Sequence, residues 1–479
     1  MRLPSSFSAL FASKRILWKN LSGSYVIGLD RLCPIHTVAC LDDGPEFEQV
    51  RQRSGTQFSS HERATRQRVR TPDPSTEEII PSLRPEIERV LAELPKSSWL
   101  LVCPRSCRTL EIFAHEMGYR NTSPAADLCH WLNHKANFFK GLDQLGLRRL
   151  QGRWLRVRQS RFGEIRSEFG SRFVLQGPRG FTGSGTAIVD SERDYAAAGQ
   201  RFEDTEVWAA PYIGPLSLNI NAFAMASRAA VAYPSVQLVG LEMLGARPGM
   251  YCGNDFTSTA LLPMSIVENA QEQTERIGSW LASLGYRGIY GVDFLIEPTT
   301  QHLYPVDLNP RWQGSTVLET QAMLRAGRLP LAAAEIAYQT GMLGESEVVP
   351  YLEAFRYPLQ GSQLLPYARE PKAVEMHRKV FPGIYASQQE LHFLRDGLEL
   401  QDCSEREELL IGGGIVRAGT RIEPGSRPAR IFSLRRVLEL QSGQPLPWSR
   451  RVAEQFYRLF GLTSPRGSTP EGAVATTEP

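Results

Sequence analysis

Residues 290–316 read YGVDFLIEPTTQHLYPVDLNPRWQGST. Two strand-like runs, 289–296 and 302–308, are joined here by the turn residues EPTTQ. Side chains alternate across a strand with a period of two, so Val292, Phe294 and Ile296 form an apolar face directed at a core. Asp293 stands on the other face with Gly291 and Leu295, and Asp307 and Asn309 project from one side of the second run. Arg311 continues along that side. Mg2+ takes hard oxygen ligands together with phosphate and water, which Asp293, Asp307 and Asn309 suit. A planar guanidinium beside them is able to grip a phosphate bidentately. A polar hairpin exposed to water is the plain alternative for isolated acids, and the combination of donors argues against it. His302 reads as structural.

Upstream, Ile266, Ala270, Ile277, Leu281 and Leu284 recur at three- and four-residue multiples, an amphipathic helix over 265–284 closed by Gly285. The segment 207–241 holds β-prone runs, VWAAPYI, LSLNINAFAM and VQLVGLE, consistent with a mixed sheet. Residues 173–185, FVLQGPRGFTGSG, run from a short strand into a loop with Gly177, Gly180, Gly183 and Gly185, whose backbone amides can lie against an anion. The chain resumes as the strand TAIVD. Further back, a helix is expected over 125–145, stopping at Gly146 and presenting Lys135. SSWLLVC at 97–103 is a buried strand followed by a helix over 109–117, and shorter strands are expected at 25–29 and 37–41. The basic stretch 51–70 reads as a solvated loop or helix face. Past residue 345, Pro- and Gly-punctuated short strands suggest a smaller β-rich module, with Gly412–Gly414 as a turn. Residues 463–479 lack large apolar side chains and are expected to be disordered.

The chain has 479 residues, which at about 100–200 residues per domain predicts two to four domains. With 54 Lys+Arg against 51 Asp+Glu the formal charge is +3, so no global field steers it toward nucleic acid or an anionic membrane. The 7 cysteines, odd in number and irregularly spaced, read as reduced thiols, and Cys103 and Cys107, the one close pair, as ordinary buried ones without a metal. No apolar run approaches the length needed to span a bilayer, and the first 20 residues do not form a secretory signal, so a cytoplasmic protein is expected. Neither a P-loop GxxxxGK[ST] nor a strand–GxGxxG–helix nor a GxSxG elbow occurs.

The stretch 290–316 resembles the metal-binding signature of ATP-grasp enzymes, in which an acid on one strand is followed by acid-x-Asn-x-Arg on the next. The resemblance implies that Asp293, Asp307 and Asn309 ligate Mg2+ (or Mn2+) and that the catalytic Arg311 stabilises a phosphoryl group in transfer, with Asp307 standing where the family more often has Glu. Three further stretches resemble that family's ATP site. NHKANFFKGLDQLGL at 133–147 is similar to the helix that opens the ATP-grasp region, making Lys135 a phosphate contact. FVLQGPRGFTGSGT is similar to the glycine-rich loop over the triphosphate, implicating Gly180, Gly183 and Gly185. VWAAPYIGPLSLNI is similar to the strand that holds adenine through the backbone of Tyr212 and Ile213. Gln176 replaces the usual lysine before the glycine loop, with Arg179 as compensation, and Ala210 replaces the usual hinge acid.

By that resemblance the fold is α/β (α+β): a Rossmann-like N-terminal domain over 1–125, and an ATP-grasp region over 126–345 whose glycine-loop subdomain spans 151–215. A β-rich C-terminal module over 346–462 and the tail complete it. The implied activity is a carbon–nitrogen ligase that uses ATP to convert a carboxylate to an acyl phosphate and joins it to an amine, releasing ADP and phosphate. The alternative is a nucleotide-binding or scaffold protein that kept the fold and lost catalysis, motivated by Gln176 and Ala210. Expected partners are a small-molecule carboxylate and amine, with no nucleic acid and no membrane, and a homo-oligomer stays open.

Overall fold

The parallel sheet that opens the chain has central strands buried on both faces, as strands covered on both sides must be. In the computed structural model, which describes residues 7–463 apart from 12, 73–76, 181, 182 and 184, its members are β1 (Arg15–Asn20), β2 (Ile35–Cys40), β3 (Gln57–Ser60), β4 (Trp99–Val102) and β5 (Arg120–Asn121). They lie in the order β3-β2-β1-β4-β5, every pairing parallel. The central strand β1 is absent from the sequence reading because Arg15 and Lys19 flank its apolar residues. Lys19 is nevertheless fully buried, and its ammonium donates to Cys107 Sγ at 3.1 Å. Cys107 is therefore no ordinary thiol: hydrogen bonding from Cys103, reinforced by the Lys19 charge, overcomes burial and brings it down to about 5.

The stretch expected as a strand at 25–29 instead forms two 3-10 turns, Gly23–Val26 and Leu29–Arg31. Gly28 between them sits at φ +92°, a backbone setting no strand tolerates. The basic stretch is not merely solvated either. Arg53 bridges Asp30 and Glu399, each at 2.5 Å, and Arg63 reaches Asp43 at 2.6 Å.

After α1 (Arg108–Met117), which ends at Gly118 as expected, the helix anticipated over 125–145 divides into α2 (Ala126–Leu132) and α3 (Lys135–Gln144). His134 leaves the helical conformation and its Nδ1 caps the amide of Ala136, which starts α3 afresh. A four-stranded antiparallel sheet follows, β6 (Arg153–Arg156), β7 (Phe173–Gln176), β8 (Thr186–Val189) and β9 (Glu206–Pro211), in the order β6-β9-β7-β8. Phe173, Leu175, Val207 and Ala209 are its sealed inner face.

An eleven-stranded sheet forms the body of the molecule. Its strands are β10 (Ser217–Ala224), β11 (Ala229–Val231), β12 (Ser235–Val239), β13 (Tyr251–Asp255), β14 (Gly288–Ile296), β15 (Leu303–Asn309), β16 (Ser362–Leu364), β17 (Gly383–Ser387), β18 (Leu391–Arg395), β19 (Glu408–Gly412) and β20 (Arg430–Ser433). The order β15-β14-β10-β12-β13-β16-β20-β19-β17-β18, with β11 beside β10, makes the short strands past residue 345 continuous with the central ones. Helix α4 (Met264–Ser283) packs its Ile266, Ala270, Ile277 and Leu281 against the sheet. Helix α5 (Gly314–Arg325) leaves β15 and is buried along most of its length. A final helix, α6 (Pro447–Phe460), was not anticipated, although Trp448, Val452, Phe456 and Phe460 recur every four residues and are all buried. No helix among the described residues is long and apolar enough to cross a membrane, and the tail beyond residue 463 lies outside the described residues.

Burial of α5 gives the fold a pH signature. Glu319 is 1% exposed, neither carboxyl oxygen has a hydrogen-bond partner among the described residues, and burial pushes the group up to about 8. Because the folded value lies above the unfolded one, the neutral acid is tolerated at low pH and stability is lost as pH rises through about 8. Glu319→Gln, which keeps the shape without the charge, should melt increasingly above the wild type between about pH 5 and about pH 9. A melting-temperature difference that stays constant across that range by calorimetry would contradict this.

Candidate active site

A cleft of about 830 Å³ opens where the three main sheets meet. Among the residues singled out in the sequence, Lys135, Gln176, Gly180, Gly183, Gly185, Tyr212, Ile213, Asp293, Asp307, Asn309 and Arg311 all line it, and Arg179 does not. Arg179 is exposed, with its charge near His134. A cation that the sequence did not single out, Arg172, lines the cleft, stacking over the Tyr212 ring at 4.3 Å and pairing with Asp190 at 3.0 Å.

The hairpin supplies the floor. Val292, Phe294 and Ile296 are buried, as the alternation predicted, and Asp293 and Leu295 face the cleft. Asp293 pairs across the ladder with Asp307 and Gly291 with Asn309, but Phe294 pairs with Pro305. One residue, Val306, is therefore extra on β15. A one-residue slip moves a strand's side chains to the opposite face, so this bulge is what turns Asp307 and Asn309 toward Asp293 instead of into the core. Burial raises the Asp293 carboxyl above its ordinary range, and the neighbouring Asp307 charge raises it further. Two carboxyls this close in a half-buried cleft favour a cation between them.

Part of that compensation comes from the protein. Lys135, 6% exposed at the start of α3, donates to Asp307 Oδ1 at 2.7 Å and to the Val306 carbonyl at 3.2 Å. The lysine expected at phosphate is thus tied to the carboxylate expected at the metal. Arg311 donates from Nη2 to Asn309 Oδ1 at 2.6 Å, which fixes its fork beside the acids. Burial, and then the charge of Arg105, weakens its hold on its proton.

A polar network beneath the floor was not singled out from the sequence. Asn219 donates to Asp293 Oδ1 at 2.5 Å and to Gln313 Oε1 at 2.8 Å. Gln313 and Thr316 donate in turn to Asn221 Oδ1 at 3.1 and 2.9 Å, and Ser315 to Asn219 Oδ1 at 2.6 Å. These bonds lock the first turn of α5 to β10 and orient Asp293. The signal was present: two asparagines, two residues apart, in the otherwise apolar run LSLNINAFAM.

The glycine-rich loop closes on itself through the Gly177 amide and the Gly185 carbonyl at 2.8 Å, while the Lys135 amide donates to the Pro178 carbonyl at 2.9 Å. Phe181, Thr182 and Ser184 lie outside the described residues. Gly183 takes φ +80°, and a Cβ there would stand 2.3 Å from the Gly249 carbonyl oxygen. Gln176 lies near Thr186 Oγ1, its amide nitrogen 3.4 Å away. At the hinge, the Tyr212 amide already donates to the Arg172 carbonyl at 3.3 Å.

No family model matches the sequence. A curated relative, the [butirosin acyl-carrier protein]–L-glutamate ligase of Niallia circulans, is 23% identical over 202 residues, covering 40% of this chain and 45% of the relative. The chain thus spans about half the length of the curated relative it matches. Among solved structures, the biotin carboxylase domain dimer of Hydrogenobacter thermophilus 2-oxoglutarate carboxylase, in complex with MgADP, ADP and bicarbonate, superposes with a TM-score of 0.58 at 12% identity, covering 88% of this chain and 86% of that one. Biotin carboxylase from Campylobacter jejuni, in complex with an ATP analogue, gives 0.57 at 12%, covering 88% and 87%. N5-carboxyaminoimidazole synthase from Aspergillus clavatus, with ADP and its ribonucleotide, gives 0.54 at 13%, covering 89% and 95%. At these identities the likeness is one of fold: over most of its length this chain shares the fold of these biotin carboxylase and N5-carboxyaminoimidazole synthase structures.

Proposed function

We propose that this chain is an ATP-dependent ligase that activates a small-molecule carboxylate as an acyl phosphate and joins it to an amine, releasing ADP and phosphate. The observation that carries the reading is the convergence of Asp293, Asp307, Asn309 and Arg311 with the glycine-rich loop on one cleft of an ATP-grasp fold. The donor set fits MgATP: three hard oxygen donors for Mg2+ (or Mn2+), a buried lysine among them, and a loop whose glycines admit close backbone approach. Asp293, Asp307 and Asn309 would hold the metal. Gln176 and the amides of Gly180, Gly183 and Gly185 would take the triphosphate, and the Tyr212 carbonyl and Ile213 amide the adenine. MgATP, when bound, supplies the phosphoryl group that makes the carboxylate reactive.

The chain's own contribution is positioning and charge neutralisation, which supply nearly all the catalysis in phosphoryl transfer. Asn309 aims Arg311, Lys135 steadies Asp307, and Asn219 steadies Asp293. The attacking carboxylate is already an anion, so no protein base is required for the first step. The Niallia relative is named for a ligation of L-glutamate to a carrier protein, which agrees with a carboxyl-activating reaction.

An ADP-release screen over pooled carboxylates and amines, with mass spectrometry of the responding pool, tests the reading. A pool that releases ADP and forms a new amide is expected. A protein that binds MgATP and releases no ADP with any pool would contradict it and favour the catalytically silent alternative. Gly183→Val, which forces a branched side chain into φ +80° against the Gly249 carbonyl, should raise KM for MgATP about tenfold or more. An unchanged KM would remove the loop from the nucleotide site.

A further inference from the structure

We propose that Arg430 and Arg427, with the first turn of α5, form a second anion subsite in the cleft, and that the acid activated is therefore a dicarboxylate whose unreacted carboxylate is held there. The inference rests on the ligase reading above and names the substrate class it implies. Arg430, in β20, is 7% exposed and lines the cleft. Its Nη1 donates to the Gly314 carbonyl and to Gln363 Oε1, each at 3.3 Å. Nε and Nη2, the edge with which a guanidinium grips a carboxylate in two parallel bonds, have no acceptor among the described residues. No carboxylate pairs with Arg427 or Arg430 among them either. A guanidinium this buried is rarely left without an anion.

The surroundings support an anionic occupant. The Tyr25 ring lies under the Arg430 guanidinium at 5.5 Å and limits its swing. Arg427 lies over the Tyr367 ring at 5.9 Å, also on the cleft wall. Gly314 and Ser315, which line the cleft, open the twelve-residue α5, and the first amides of a helix lack acceptors of their own and favour negative charge. The carboxylates among the described lining residues are Asp293, Asp307 and Glu242. The first two belong to the reacting end with Lys135 and Arg311. Arg430 instead reaches the carbonyl of Gly314, three residues beyond Arg311, a stretch of chain spanning at most about 11 Å. Two cationic sets so spaced match an acid charged at both ends.

The test measures calorimetric binding of a panel of four- to six-carbon dicarboxylates, amino dicarboxylates included, and of their monoamides to the full chain with MgAMPPNP. Wild type should bind at least one diacid and prefer it to its monoamide. Arg430→Gln should weaken that diacid about 30- to 100-fold, as expected for lost charged hydrogen bonds, with AMPPNP affinity unchanged. Arg430→Lys should restore part of the loss, and the half-buried Arg427→Gln, which leaves the fold less disturbed, should cost about tenfold. If no diacid binds wild type, if monoamides bind as tightly, or if both Gln variants bind the diacid like wild type, the subsite is overturned. Diacid binding that follows the expected pattern without ADP release from any diacid and amine would leave the subsite standing and fell the ligase reading. ADP release from monocarboxylates that Arg430→Gln leaves unchanged would do the reverse.

Discussion

Asp307→Asn combined with Asn309→Ala should lower ADP release by about a thousandfold or more while the protein stays folded, because in the proposed site the pair removes charge and an oxygen donor from where transition-state charge would be neutralised. The choice of substitution follows from the site. Lys135 is buried against Asp307, so Asp307→Ala would leave its ammonium with the Val306 carbonyl as its remaining acceptor. An uncompensated buried charge costs about 3–5 kcal/mol, reduced here because the Asp307 side chain is 32% exposed. Asparagine keeps an oxygen at the same place and separates lost chemistry from lost stability. Circular dichroism should show unchanged secondary structure and melting within a few degrees of wild type. ADP release that persists near the wild-type rate would remove these residues from the chemistry.

Arg311→Lys is expected to cost nearly as much. The guanidinium is held by Asn309 at 2.6 Å, and the role proposed for it is to meet a planar group in transfer with two parallel donors. Lysine keeps the charge but cannot reproduce the fork. Arginines acting on transferring phosphoryl groups contribute about 10³–10⁵ in rate. The expected result is a kcat lower by about three orders of magnitude with KM for MgATP within about threefold of wild type. A rise in KM with kcat preserved would instead make Arg311 a ground-state binding residue. Steady-state kinetics on whichever carboxylate the screen identifies makes the distinction.

The hairpin was legible in the sequence because its signal is local. Val292, Phe294 and Ile296 alternate with Asp293 within one strand, and Asp307, Asn309 and Arg311 follow at a spacing of two. The bulge at Val306 was not legible, since it is a property of the pairing between strands, yet the relative facing of Asp293 and Asp307 depends on it. Strands with a charged residue inside were missed for a related reason: Lys19 looks solvent-seeking until Cys107, 88 positions away, is brought against it. The anticipated single helix across 125–145 failed at His134, where a side-chain cap outweighs an otherwise continuous helical pattern. Tyr25, Arg172, Arg427 and Arg430 reach the cleft from four distant parts of the chain, and nothing in their local context marks them. Arg179, singled out because it is adjacent to the glycines, is exposed and not among the residues lining the cleft, since adjacency in a loop does not determine direction.

In the proposed site, Asp293, Asp307 and Asn309 hold a divalent cation beside the phosphates of a nucleotide. A crystal of the full chain grown with Mn2+ and AMPPNP, with anomalous scattering recorded for manganese, addresses it directly. The expected result is a manganese peak within about 2.5 Å of carboxylate oxygens of Asp307 and Asp293 or the Asn309 amide oxygen, shared with phosphate oxygens under the glycine-rich loop. Nucleotide and manganese bound elsewhere, or a peak bridged to none of these three residues, would contradict the account.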